Sequence, residues 1–190
     1  MAKRILLLAS GSGSLARAIL QAVKDDQLNV EVVELISDRQ SHVLDVAKEF
    51  GVKSTLVDFS LYDSRMTWGA ELANLVRKEG VDLVVSVGFM RILPEAFVNE
   101  FPTINTHPAL LPLFPGAHAV RDALAAKASI TGSTVHWVDA GVDTGKVISQ
   151  ISVEISPEDT EESLHERIKI QERKLIVETL KTFAAVGLEK

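Results

Sequence analysis

The sequence predicts an α/β fold: a doubly wound, mostly parallel sheet with helices on both faces, a β-rich C-terminal part and a long final helix. Three observations predict it. Apolar runs of strand length alternate with segments of helical periodicity as far as Lys127, the pattern of strands buried between two helix layers. The first run ends in a glycine-rich turn that opens a helix. Beyond it all, two strand-like runs precede one long helical segment.

Arg4 to Ala9 is the first strand. Met1-Ala2-Lys3-Arg4 before it resembles the start of a signal peptide, but the apolar run stops at Ser10-Gly11-Ser12-Gly13 and suits a buried strand better. Strands follow at Val30 to Ile36, Ser54 to Asp58, Leu83 to Gly88 and Thr103 to His107. Helices lie between them near Leu15 to Val23, Val43 to Phe50, Ser64 to Lys78 and Glu95 to Glu100. After a short helical stretch around Val120 to Lys127, strand-like runs at Ser133 to Val138 and Lys146 to Ile155 flank the turn-rich Asp139 to Gly145. That return predicts mixed sheet edges and a mobile loop. Pro157-Glu158-Asp159 then opens a helix from about Thr160 to Phe183, with acidic residues in its first turn as the helix dipole favours.

At 190 residues, 46% hydrophobic and 24% charged, the chain is expected to form one domain over residues 1–190. No run approaches the roughly 18 apolar residues of a membrane span, so a soluble, cytoplasmic protein with no membrane partner is expected. Zero cysteines exclude disulfides, thiol catalysis and cysteine-ligated zinc. A net charge of −6 and a pI near 5.4 argue against a broad phosphate-backbone footprint, and no nucleic-acid partner is expected. An anionic substrate has to be held locally, by backbone amides and a few placed cations.

Gly11-Ser12-Gly13-Ser14-Leu15-Ala16, between strand and helix, is where free amides at a helix N-terminus can cradle a phosphate. Its spacing also satisfies Gly-x-Gly-x-x-Gly/Ala, with Asp38 after the second strand as a ribose acceptor in a nicotinamide-dependent oxidoreductase. A tight turn that simply needs glycine is the plainer alternative.

The most informative stretch is Asn105-Thr106-His107-Pro108-Ala109-Leu110-Leu111-Pro112, with Phe114-Pro115-Gly116 after it. Asn105 and His107 are two apart on a strand and project from one face. The prolines end that strand at once, which puts the pair at a carboxyl end, where open α/β sheets bind ligands. An amide donates to a developing oxyanion, and a histidine moves protons near neutral pH. Asp143, if its loop folds over the strand end, can orient the ring. Each residue alone has an ordinary structural explanation, in a turn, a core or a loop; the joint arrangement favours chemistry. His118 and His136 have no ligand spacing with His107 and Asp143, and no metal is expected.

Gly11-Ser12-Gly13-Ser14, Asp63-Ser64-Arg65, Gly88-Phe89-Met90-Arg91-Ile92-Leu93, Asn105 to Pro112 and Asp139 to Gly145 stand in the order and spacing of the folate-dependent formyltransferases. Over nearly its whole length the chain resembles the phosphoribosylglycinamide formyltransferases among them. The resemblance implies a Rossmann-like formyltransferase fold. It also implies 10-formyltetrahydrofolate as cosubstrate, and transfer of its formyl group to the primary amine of 5'-phosphoribosylglycinamide in de novo purine (IMP) biosynthesis. The partners implied are these small molecules, and a homodimer is compatible.

By the same resemblance Asn105 is the donor to the formyl oxygen, His107 the charged stabiliser and proton handler, and Asp143 its carboxylate partner. Gly11, Ser12, Gly13, Ser14 and Leu15 cradle the substrate phosphate, assisted by Arg65, with Lys169 and Glu172 at phosphate and ribose. Met90, Arg91, Ile92 and Leu93 wall the folate pocket with Asn105, Ala140, Gly141, Val142 and Asp143. Leu15 stands where many members carry Asn, and Thr106 where Ile is common. Methionyl-tRNA formyltransferase and formyltetrahydrofolate hydrolase share the Asn, His and Asp set but add a domain for which this chain has no room. A non-catalytic sugar-phosphate binding module is the remaining alternative.

Overall fold

The computed structural model describes residues 2–189. Its seven strands are β1 (Lys3–Ala9), β2 (Val30–Ser37), β3 (Ser54–Leu56), β4 (Leu83–Ser86), β5 (Thr103–His107), β6 (Ile130–Trp137) and β7 (Val147–Glu154). They form one sheet in the order β3-β2-β1-β4-β5-β6-β7. Pairing is parallel from β3 to β5 and antiparallel on either side of β6. The mixed edge expected from the C-terminal pattern is therefore the β6–β7 pair.

Strand β1 is central and shows why apolar runs rather than alternation mark the parallel half. Ile5, Leu7 and Ala9 join one core with Leu15 and Ile19 of α1 (Ser14–Lys24), Val43 of α2 (Val43–Glu49) and Ile176 and Leu180 of the long α6 (Glu161–Val186). Leu6 and Leu8 join the other with Trp68 and Leu72 of α3 (Arg65–Glu79) and Phe97 of α4 (Glu95–Glu100). Helices thus cover both faces. A smaller cluster seats Val120 of α5 (Ala119–Ala125) against Leu164 and Ile168.

Element ends depart from expectation for local reasons. β4 stops at Ser86 because Gly88 turns to φ +72°. β3 stops at Leu56 because residues 59–61 make a single 3₁₀ turn whose cap, Asp58, accepts from Ser60 N at 2.9 Å. Ser64 is a cap rather than a helical residue, in a reciprocal box with Thr67, and Thr160 forms the same box with Ser163. β6 begins at Ile130, earlier than the pattern suggested, because Ile130 pairs with Glu154. The chain leaves β1 toward β2 on one side and returns at β4 on the other, which opens a crevice between the carboxyl ends of β1 and β4.

Candidate active site

A cavity of about 610 Å³ lies at that crevice. One end is the turn after β1. Gly13 has φ +78°, and a Cβ there meets Val43 Cγ2 at 2.8 Å, so both conformation and space require glycine. No side chain caps α1, which leaves its first-turn amides and the positive end of its dipole toward the cavity. Gly11, Ser12, Gly13, Ser14 and Leu15 all line it, and Lys169 and Glu172 face them from α6. Glu172 is 5% exposed, with Ser133 Oγ at 3.4 Å. Burial pushes its carboxyl up to about 7 against the pull of Ser133, Lys169 and Arg173.

The floor is a polar row across three strands. The β4–β5 and β5–β6 registers set Ser86, Asn105 and His136 side by side. Ser86 Oγ donates to Asn105 Oδ1 at 2.7 Å, and Asn105 Nδ2 lies 3.4 Å from His136 Nε2. His136 Nδ1 donates to the Trp137 carbonyl at 2.8 Å, so a neutral ring accepts from Asn105 through Nε2. These partners orient the amide with its NH₂ away from Ser86.

One pleat further on, His107 Nε2 donates to the Phe114 carbonyl at 2.8 Å, and Nδ1 faces Asp143 Oδ2 at 3.3 Å. Asp143 also accepts from Gly116 N at 2.8 Å, and its Oδ1 lies 3.5 Å from His136 Nε2. Two influences compete on His107. Its geometry favours the charged ring, with a donor directed at each partner, while burial disfavours charge. Burial is the larger and holds the pKa below its ordinary value against Asp143 and the Phe114 carbonyl, with His136 adding to the depression. For Asp143 burial pushes upward, but the adjacent His136 ring, the bond from Gly116 N and the nearby His107 outweigh it and hold the carboxyl below its ordinary range.

Two loops wall the cavity. In residues 88–93 the side chains alternate: Phe89 stacks on Trp68, Arg91 bonds Asp38 and Leu93 is buried, while Met90 and Ile92 stay 65% and 51% exposed. In residues 139–145, Gly141, Val142 and Asp143 line the cavity. Asp139 Oδ1 ties this loop internally, accepting from Gly141 N at 3.0 Å and Thr144 Oγ1 at 2.7 Å.

Two expected residues do not join the others. Arg65 is exposed at the start of α3 and outside the cavity lining, on a helix packed against the sheet face opposite α1 and α6. Ala140 is exposed and also outside the lining. His118 is exposed at the start of α5 and outside the lining that His107 shares. Among the described residues no group of three or more His, Asp or Glu is placed to hold a metal ion. Asp38, the ribose acceptor of the dinucleotide alternative, is buried and ion-paired to Arg91 Nε at 2.7 Å and Arg39 Nη2 at 3.0 Å, and that alternative loses its acceptor. Sequence reasoning missed Ser86 and gave His136 only a metal role. A strand register was the signal required, and a single sequence does not carry one. His165, on the cavity rim, was also missed.

Residues 3–180 match the Formyl transferase family. The chain is 44% identical over 187 residues to the phosphoribosylglycinamide formyltransferase of Mycobacterium tuberculosis, covering 97% of this chain and 86% of that protein. It is 40% identical over 171 residues to the trifunctional purine biosynthetic protein adenosine-3 of Drosophila melanogaster, covering 87% of this chain and 13% of that protein. The crystal structure of glycinamide ribonucleotide transformylase 1 from Symbiobacterium toebii superposes with a TM-score of 0.94 at 38% identity, covering 97% of this chain and 88% of that one. With a matching doubly wound sheet, and an amide, an imidazole and a carboxylate gathered at its switch point, the chain belongs to the formyl transferase family.

Proposed function

We propose that this enzyme transfers the formyl group of 10-formyltetrahydrofolate to the primary amine of 5'-phosphoribosylglycinamide, a step of de novo purine biosynthesis. The observation that carries the proposal is one cavity joining three features. These are an uncapped helix N-terminus for a phosphate, the Asn105, His107 and Asp143 cluster in the middle, and an apolar wall at Met90 and Ile92 for a folate.

Attack of the substrate amine on the formyl carbon places negative charge on the formyl oxygen. Asn105 carries its amide with Oδ1 occupied by Ser86, so an N–H of Nδ2 is free to donate to that oxygen. The same charge raises the proton affinity of His107, whose Nδ1 takes up a proton beside Asp143. The proton shed by the amine equals the one that folate N10 gains as the C–N bond breaks, and the His107–Asp143 pair holds it between the two events. The amine is itself the nucleophile, which suits a chain without cysteine. At the other end the amides of residues 11–15 and Lys169 suit the phosphate, and Glu172 suits ribose hydroxyls. Arg65 takes no part in this reading, and Ala140 serves only as backbone of its loop.

The proposal treats residues 1–190 as one formyltransferase domain acting on small molecules in the cytoplasm. Among the described residues no helix is long and apolar enough to cross a membrane. A homodimer is compatible with it and is checked by light scattering. The deciding experiment follows absorbance of the folate product for the wild type beside His107→Ala. Turnover is expected in the first, with a loss of about 10²–10⁴-fold in kcat in the second. A wild type that binds both substrates and never transfers the group defeats the proposal and leaves the sugar-phosphate binding module.

A further inference from the structure

Residues 88–93 have no regular structure of their own to hold them, yet they form one whole wall of the cavity. Their position depends on contacts made behind that wall. Ser10, at the end of β1, accepts from Met90 N at 2.8 Å and donates its amide to the Gly88 carbonyl at 3.1 Å. The same hydroxyl is close enough to the Asp38 carboxyl to help hold it ionised. Asp38 accepts from Arg91 Nε at 2.7 Å and from Arg39 Nη2 at 3.0 Å. The Arg91 guanidinium also lies over the Phe59 ring at 4.2 Å, and Phe59 N donates to the Asp38 carbonyl at 3.0 Å. Asp38 is the hub. Its side chain is fully buried and paired with a cation from the wall and another from its own turn.

We infer that Asp38 is a positioning residue for the formyl donor: acting through Arg91, it fixes the wall formed by residues 88–93. The chemistry follows from what a buried carboxylate requires. An ionised carboxylate without water is stable only when its oxygens are saturated by donors. Here the donors are the elements that have to be brought together. Arg91 supplies a charged, planar donor that Lys does not reproduce, because its Nε edge bonds Asp38 while its face packs on Phe59. Met90 and Ile92, on either side of Arg91, are left exposed at the cavity wall. The inference rests on the proposed donor being a folate held against this wall, and concerns a residue that touches neither substrate.

The test is steady-state kinetics of Asp38→Asn, Arg91→Ala, their double variant and Arg39→Ala, each with a thermal melt. Asp38→Asn is expected to raise the KM for 10-formyltetrahydrofolate about tenfold, with kcat and the ribonucleotide KM within about twofold of wild type, because the wall binds ground and transition states alike. The double variant is expected to be no worse than Arg91→Ala alone, since Asp38 acts through that side chain. Arg39→Ala removes a charge from Asp38 without touching the wall, and is expected to leave the donor KM unchanged. Should Asp38→Asn not fold, Asp38→Glu, which keeps the charge on a longer arm, is expected to show the same donor-only defect in smaller measure.

A lowered melting temperature with an unchanged donor KM assigns Asp38 a purely structural role and overturns the inference. Equal rises in both KM values, or additive effects in the double variant, overturn it as well. Absence of turnover in the wild type is a different result, because it removes the proposed reaction before any variant is compared.

Discussion

The two loops that close the cavity are held in opposite ways. Residues 88–93 are anchored from behind, by Trp68, Asp38 and Ser10, none of which the proposed mechanism uses. Residues 139–145 are anchored from the front: beyond the internal bonds to Asp139, their ties run through Asp143 to Gly116, His107 and His136. In one wall placement and chemistry are separate, and in the other a single carboxylate carries both. Substitutions on the two sides are therefore expected to behave differently.

The largest effect belongs to the second loop. Asp143→Ala is expected to lower kcat by about 10²–10⁴-fold and, in the same protein, to speed amide exchange over residues 139–145 while leaving 88–93 protected. Hydrogen exchange beside kinetics checks both at once, and equal exchange in the two loops would break the contrast. Next comes Gly145→Ala, whose Cβ would clash with the Trp137 carbonyl oxygen. The loop has to shift, with an expected cost of about 1–3 kcal/mol in chemical denaturation.

Glu172 provides a pH-dependent effect on the far side of the cavity. Its carboxyl is raised from 4.5 to about 7 by burial, so the folded state prefers it protonated. Its contribution is present in full below pH 4.5 and is lost as pH rises through about 7. Glu172→Gln is expected to flatten that decline and to melt above wild type at pH 8. A pH–stability curve with the wild-type slope would show that the carboxyl is not the titrating group. The smallest effect is that of Thr144→Ala, which deletes one hydrogen bond to Asp139 and is expected to weaken the loop by about 0.5–1.5 kcal/mol, with little change in either KM.

The parallel half of the sheet was legible because burial on both faces writes itself as apolar runs, and β5 was bounded correctly by its own prolines. The Asn105 and His107 pair was legible for the same reason, since a strand's twofold repeat puts i and i+2 on one face. Asp143 was legible as loop chemistry, while its contact with His107 is tertiary. Ser86 and His136 flank Asn105 only through register, which depends on pairing between segments far apart in the chain. Asp38 was read as a ribose acceptor because an acidic residue after a second strand has the same sequence signature whether it faces a ligand or an arginine from residues 88–93. The resemblance puts Arg65 at the phosphate, whereas the side chain is exposed at the start of α3 and outside the cavity lining, which motif order alone does not show.

The alternation along residues 88–93 also has a use in design. All of residues 88–93 line the cavity, but Phe89, Arg91 and Leu93 are also held by the fold, whereas Met90 and Ile92 are the most exposed side chains of that wall. Those two positions can be varied in size and polarity as a pair, to admit bulkier or trimmed donors, at small expected cost to folding. The scaffold thereby offers a two-residue handle on donor selectivity that leaves the neighbouring anchors intact.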